Sequence, residues 1–177
     1  QEMFDATFYN CAGLTGGIPS GLFAKVSGAP AESMFGNTFS GCSGLTGAIP
    51  EGLFAGVKGT PAKSMFYKTF GDCTGLTSVP AGLFAGIDGT PADGMFKWTF
   101  RNSGLKGSIP AGLFAGVKGA PAFEMFDGTF YNCSKLTGSI PSALFAGIDG
   151  APAENMFRVT FYGCSGLSGQ IPENLFA

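Results

Sequence analysis

The five cysteines are the side chains of this sequence with the clearest capacity for chemistry. They recur at a spacing of 31 residues, except where Ser103 takes the place of one of them. An odd count argues against a framework of paired disulfides, and a zinc site needs ligands that converge at short spacing. The chain also has no histidine. The sequence therefore predicts no metal site, and a row of buried free thiols that pack as small hydrophobic side chains. These cysteines are Cys11, Cys42, Cys73, Cys133 and Cys164.

No combination of residues has the pattern of a catalytic site. Without histidine the chain lacks the commonest general base. The twelve carboxylates are scattered over variable positions, and no serine or cysteine has a candidate base beside it. The glycines recur as turn residues and not as a phosphate-binding loop. We therefore expect a protein that is not an enzyme and that uses no cofactor.

The net charge and the length of the apolar runs exclude two further classes of function. Ten basic and twelve acidic residues give a net charge of −2, which lacks the basic excess of a nucleic-acid-binding protein. No apolar run approaches the 18 residues of a transmembrane helix. We expect neither a nucleic-acid partner nor insertion into a membrane.

Aromatic and basic side chains at variable positions are the candidates for recognition. Exposed tyrosine, tryptophan and arginine are enriched at binding hot spots, so a surface that contacts a protein or a glycan is one hypothesis. Random variation on a solvated face is the other. The candidate contact residues are Tyr9, Tyr67, Lys68, Trp98, Arg101, Tyr131 and Tyr162.

Two other sets of polar residues recur at fixed positions. One threonine is invariant in the repeat described below, and we expect its hydroxyl to bond a backbone carbonyl one helical turn earlier. The other set alternates in sign, which predicts a ladder of opposite charges that fixes the register of neighbouring units. Its members are Lys58, Asp88, Lys118 and Asp149.

These residues are carried by an internal repeat that covers residues 1–177 as a single array. The pair Met-Phe begins each of six units, with spacings of 31, 31, 30, 30 and 31 residues. One unit has too few apolar side chains to fold alone, so the units must stack and bury one another's faces. The units begin at Met3, Met34, Met65, Met95, Met125 and Met156, and we call them repeats 1 to 6.

The spacing within a unit predicts its local structure. Met, Phe, Thr, Phe and Cys occupy positions i, i+1, i+4, i+5 and i+8, which indicates one face of a helix. The following Leu-Thr-x-x-Ile-Pro is typical of a short strand that a proline ends. Leu-Phe-Ala between glycines predicts a single helical turn. We therefore expect an α/β fold in which short parallel strands lie opposite helices.

The motif Met-Phe-x-x-Thr-Phe-x-x-Cys-x-x-Leu-Thr-x-x-Ile-Pro resembles the BspA-type leucine-rich repeats of bacterial surface proteins. The segment Leu45–Pro50 is also similar to the plant-type variant. The resemblance covers all six units, although units of 30 or 31 residues are longer than those of the family. It implies a right-handed leucine-rich-repeat-like solenoid in an extracellular or cell-surface bacterial protein that serves adhesion or recognition.

Two functions from different classes remain as expectations. The first is a non-enzymatic module that binds a protein or glycan through one face. The second is a structural subunit whose copies stack head to tail into a filament. The chain begins and ends within a unit, which suggests either a fragment of a longer array or a self-stacking subunit.

Overall fold

A computed structural model describes residues 2–176 of the chain. These residues include no helix, and their only strands are β1, Gly47–Ala48, and β2, Leu76–Ser78. The two strands pair in parallel, with Gly47 opposite Leu76 and an irregularity before Ala48 pairs with Ser78. The predicted α/β fold, with helices opposite the strands of a leucine-rich-repeat solenoid, is therefore wrong. No helix capable of crossing a membrane exists in this part of the chain.

The segment that was expected to be helical is a succession of tight turns. Lys68 and Asp72 of repeat 3, and Ser64 just before it, all have φ between 52° and 60°, and a residue in this left-handed region interrupts an α-helix. The N–H groups of Tyr67 and Thr69 donate to carbonyls three residues earlier. The period of the segment is thus four residues, which places Met, Phe, Thr, Phe and Cys on one side as well as a helix would.

The remaining N–H groups of these turns join one repeat to the next. Phe66 donates to the carbonyl of Met95 at 2.9 Å, and Phe70 donates to that of Thr99 at 2.8 Å. The backbone groups therefore alternate between partners inside the repeat and partners in its neighbour. This alternation satisfies the polar backbone without a helix or a continuous sheet.

The expected parallel ladder of strands is present mostly as isolated bridges. Each bridge links a glycine of one repeat to the residue two positions before the equivalent glycine of the next repeat, as in Gly28 with Val57 and Gly89 with Val117. Within residues 2–176, only β1 and β2 are long enough to count as strands.

One hydrophobic core runs through the six repeats, as their invariant apolar positions predicted. The rings of Phe70, Phe100 and Phe130 stack at centroid distances of 5.8 and 5.5 Å. Phe66 and Phe96 belong to a second row with a spacing of 5.7 Å. The phenylalanines of the Leu-Phe-Ala segments form a third row, which is buried except at Phe176.

Candidate contact surface

The structure brings five of the seven candidate contact residues into one continuous row. Tyr67 and Trp98 lie 5.9 Å apart between ring centroids, and Tyr131 and Tyr162 lie 5.0 Å apart. The guanidinium of Arg101 links the two pairs, since it lies 5.3 Å from the centroid of Trp98 and 5.6 Å from that of Tyr131. We call Tyr67, Trp98, Arg101, Tyr131 and Tyr162 the aromatic row; it crosses repeats 3 to 6.

The other two candidates lie outside this row. Tyr9 is exposed in repeat 1, where none of the described ring contacts involves it. Lys68 is half-buried and pairs with the carboxylate of Asp72 at 2.9 Å. Burial opposes ionisation of Asp72, but hydrogen bonds from Asn102 and Lys68 outweigh it and lower the pKa of this carboxyl. Lys68 is therefore already neutralised by its neighbour.

Trp98 owes its place in the row to the glycine in the next repeat. A Cβ atom on Gly128 would lie 2.4 Å from Cδ1 of Trp98 and 2.6 Å from its Nε1. The indole thus covers the backbone of Gly128, and any larger residue there would displace it. Trp98 itself has a φ of 57°, a conformation that is unfavourable for bulky residues.

A charge network beside the row was not predicted. The carboxylate of Asp127 is fully buried and accepts hydrogen bonds from Nε and an Nη atom of Arg158, at 3.2 and 2.8 Å. Lys97 lies 3.3 Å from the same carboxylate and also bonds Glu124. The hydrogen bond to Asp127 raises the pKa of Arg158. Lys97, Asp127 and Arg158 occupy the same position in repeats 4, 5 and 6, and their alternating signs could have revealed the network.

The predicted ladder of opposite charges forms no such network. Lys58, Asp88, Lys118 and Asp149 are all exposed. None of them takes part in an ion pair with another residue in the described range 2–176. Long-range attraction between exposed charges is weak, so the prediction that this ladder fixes the register has no contact to support it.

The invariant threonine bonds a carbonyl of the preceding repeat, and among the described residues only Thr129 and Thr160 also make the expected bond to a carbonyl one turn earlier, at 3.0 and 2.9 Å. The hydroxyl of Thr69 donates at 2.8 Å to the carbonyl of Phe35, which belongs to the preceding repeat. Thr99 bonds Phe66 in the same way. The threonines of repeats 2 to 6 are buried and that of repeat 1, Thr7, is exposed, so the buried ones hold neighbouring repeats together and do not form an exposed row of hydroxyls.

Four of the cysteines are buried, as predicted, but the prediction is wrong for Cys11, which is exposed. The thiol of Cys73 donates to the carbonyl of Phe39 in the preceding repeat at 2.9 Å. Burial raises the pKa of Cys73 and of Cys133 to about 12, and that of Cys164 to about 11. These thiols stay protonated at neutral pH and are therefore poor nucleophiles and poor metal ligands. No group of three or more potential metal ligands converges within residues 2–176.

Comparisons with family models, curated proteins and solved structures give no match to this chain. The resemblance to BspA-type repeats therefore stays a prediction, as does the extracellular location that it implied, whereas the leucine-rich-repeat architecture is wrong.

Proposed function

We propose that this chain is a non-enzymatic recognition module that binds a partner protein through the aromatic row. The continuity of the row across four repeats is the observation that carries the proposal. It presents aromatic side chains and a guanidinium, which are the groups most often responsible for binding energy in interfaces. A groove beside the row adds the exposed ring of Phe123 and the side chains of Lys63 and Asp93.

The arrangement of the rings favours a protein over a glycan. Tyr131 and Tyr162 are stacked with an interplanar angle of 13°, so one face of each ring is covered by the other. Sugars pack on open ring faces, whereas edges, hydroxyls and a guanidinium suit the mixed polar and apolar surface of a protein. A glycan ligand is the outcome that would contradict this choice.

The row is held in place before any ligand arrives. Backbone hydrogen bonds from Trp98 to Asp127 at 2.9 Å and from Asn102 to Tyr131 at 2.7 Å fix repeat 4 against repeat 5. The buried Asp127 ties Lys97 and Arg158 together beside the row. Side chains ordered in this way lose little entropy on binding, which supports a role in recognition.

Replacing Trp98 and Tyr131 together by alanine should weaken binding of a selected peptide ligand at least 30-fold. The two side chains are half-buried hot-spot types, and losing a hot spot costs about 2 kcal/mol or more. Peptides are first selected from a random displayed library on the wild-type chain, and their affinities are then measured by calorimetry. Tyr9→Ala, which removes an exposed tyrosine outside the row, is the matched control.

The affinities of these variants and a glycan array can each refute the proposal. If the double variant, shown to be folded by circular dichroism, binds the peptides as well as the Tyr9→Ala variant, the aromatic row is not the contact surface. If a glycan array gives saturable binding and the peptide library gives none, the partner is not a protein.

A second candidate function is head-to-tail association of copies of this chain. In repeat 6 the N–H groups of Phe157, Val159 and Phe161 have no described acceptor, and in repeat 1 the carbonyls of Asp5 and Thr7 have no described donor. The equivalent groups pair wherever two described repeats meet. A second copy could therefore place its repeat 1 on repeat 6 with the same hydrogen bonds, in an open, non-closing contact.

Sedimentation velocity distinguishes this candidate from recognition by a single chain. The wild-type chain should form species that grow with concentration. Phe176→Asp, which places a charge on a ring that is 59% exposed and contacts Phe157, should leave a monomer. A wild-type chain that stays monomeric at the highest concentration excludes head-to-tail association.

A further inference from the structure

Arg101 is the cation of the aromatic row, and its guanidinium is held by rings alone. It lies over Trp98 and Tyr131, and it makes no ion pair and no side-chain hydrogen bond with any residue from 2 to 176. A guanidinium that rests on aromatic faces keeps its in-plane N–H groups for another partner. Arg101 is half-buried, so these donors are partly removed from water.

The neighbouring cations differ from Arg101 in having carboxylate partners. Lys68 pairs with Asp72, Lys97 pairs with Glu124 and Asp127, and Arg158 pairs with Asp127. The positive charge of Arg101 also stabilises the carboxylate of Asp72, but this carboxylate is already bonded by Lys68 and Asn102. A single uncompensated positive charge thus lies in the middle of the row.

We propose that Arg101 is a receptor for one carboxylate, and that the partner carries an acidic side chain at the centre of the contact. This inference rests on the proposed function and specifies its ligand as an acidic segment of a protein. A planar guanidinium binds a carboxylate through two parallel N–H···O bonds. A phosphate is usually met by a cluster of arginines, and the other nearby cations are already paired, so a singly charged carboxylate fits this site better.

The rings make this receptor stronger than an exposed arginine would be. Contact with Trp98 and Tyr131 fixes the side-chain rotamer, which reduces the entropy lost when the carboxylate binds. Gly128 maintains this arrangement because its missing Cβ gives the indole its place. A flexible arginine on a polar face would gain little from the same ion pair.

The test is a titration with a hexaglutamate peptide, and with a hexaglutamine peptide as the neutral comparison. Trp98 is the only tryptophan of the chain, so its fluorescence reports directly on the site. We expect saturable binding of hexaglutamate and none of hexaglutamine. Arg101→Gln should lower the affinity at least 10-fold, and Arg101→Lys should recover only part of it because an ammonium lacks the planar pair of donors.

Lys118→Gln is the matched control, since it removes the same charge from an exposed lysine that contacts no aromatic ring among residues 2–176. This variant should bind hexaglutamate like the wild type. If Arg101→Gln and Lys118→Gln weaken binding equally, the attraction is a general charge effect and the receptor is wrong. Thermal unfolding of each variant verifies that the fold is retained.

Two further measurements separate the failure of this inference from the failure of the proposed function. If selected peptides depend on Trp98 and Tyr131 but not on Arg101, the recognition module stands and the carboxylate receptor is overturned. Polygalacturonate offers the same carboxylate on a glycan. If it binds in an Arg101-dependent manner and hexaglutamate does not, the receptor stands but the acidic protein segment is wrong.

Discussion

Replacing Phe100 by alanine is expected to lower the free energy of unfolding by about 3–5 kcal/mol, the usual cost of removing a buried phenylalanine ring. The ring is completely buried and lies between those of Phe70 and Phe130 in one row. It also contacts the ring of Phe84, which belongs to another row, at a centroid distance of 6.4 Å. Its removal therefore opens a cavity in the middle of the array. Repeats are packed on both sides of this cavity, so the chain cannot collapse to fill it.

Phe123→Ala is the matched control because it makes the same chemical change at a ring that is 42% exposed. We expect it to cost less than about 1 kcal/mol, as is usual for surface positions. Urea unfolding followed by Trp98 fluorescence gives both free energies. Equal losses for the two variants would mean that the stacked rings do not form the core of the folded chain.

The positions of these core residues could be predicted from the sequence, but the backbone that carries them could not. Met-Phe-x-x-Thr-Phe-x-x-Cys identifies the buried side because a pattern of apolar residues marks burial whatever the backbone does. A backbone with a period of four residues is close to the 3.6 residues per turn of an α-helix. Over two turns, the two backbones therefore give the same pattern of apolar residues. The distinguishing signal was the position immediately before the Cys, or before Ser103 in repeat 4, where the left-handed region recurs.

That position, the seventh after each Met, carries only residues that tolerate positive φ. It is occupied by Asn10, Gly41, Asp72, Asn102, Asn132 and Gly163, all of which have φ between 54° and 77°. Asparagine, aspartate and glycine are the residue types that adopt this conformation most readily. The interior of a helix disfavours them, so their recurrence before the Cys at which the predicted helix would end indicates turns.

The candidate site was predictable in its residue types and not in its grouping. Tyr67 and Trp98 occupy different positions of their repeats, the second and third after Met, and only the offset between neighbouring repeats brings their rings together. Alignment of the units would have placed them apart. The buried Asp127 was missed because single-sequence patterns treat an acidic residue at a variable position as solvated, whereas here it lies between two cations.

Gly116 controls how closely repeats 3 and 4 approach each other. A Cβ atom at this position would lie 2.3 Å from the carbonyl oxygen of Ile87 and 3.3 Å from its carbonyl carbon. These are backbone atoms, so no side chain can move aside to relieve the overlap. The hydrogen bonds from Gly89 to Gly116, at 3.2 Å, and from Lys118 to Gly89, at 3.0 Å, hold the two backbones at this spacing.

The sequence shows the same requirement at each equivalent position that faces a described preceding repeat. Glycine follows Leu-Phe-Ala at Gly56, Gly86, Gly116 and Gly147, and each would bring a Cβ atom within 2.4 Å of a carbonyl oxygen of the repeat before it. In repeat 1, which has no described repeat before it, the position is Lys25. Close contact between backbones, rather than an unusual φ, therefore explains these glycines.

Gly116→Ala should consequently destabilise the chain by about 3 kcal/mol, the upper end of the usual cost of overpacking. The matched control is Gly112→Ala in the same repeat, where a Cβ atom would meet nothing within 4 Å. That variant should be unchanged or more stable by up to about 1 kcal/mol, because alanine restricts the unfolded chain. Urea unfolding measures both. Hydrogen exchange should locate the damage at the amides of Gly89 and Lys118, and equal stability of the two variants would show that the backbones do not meet at Gly116.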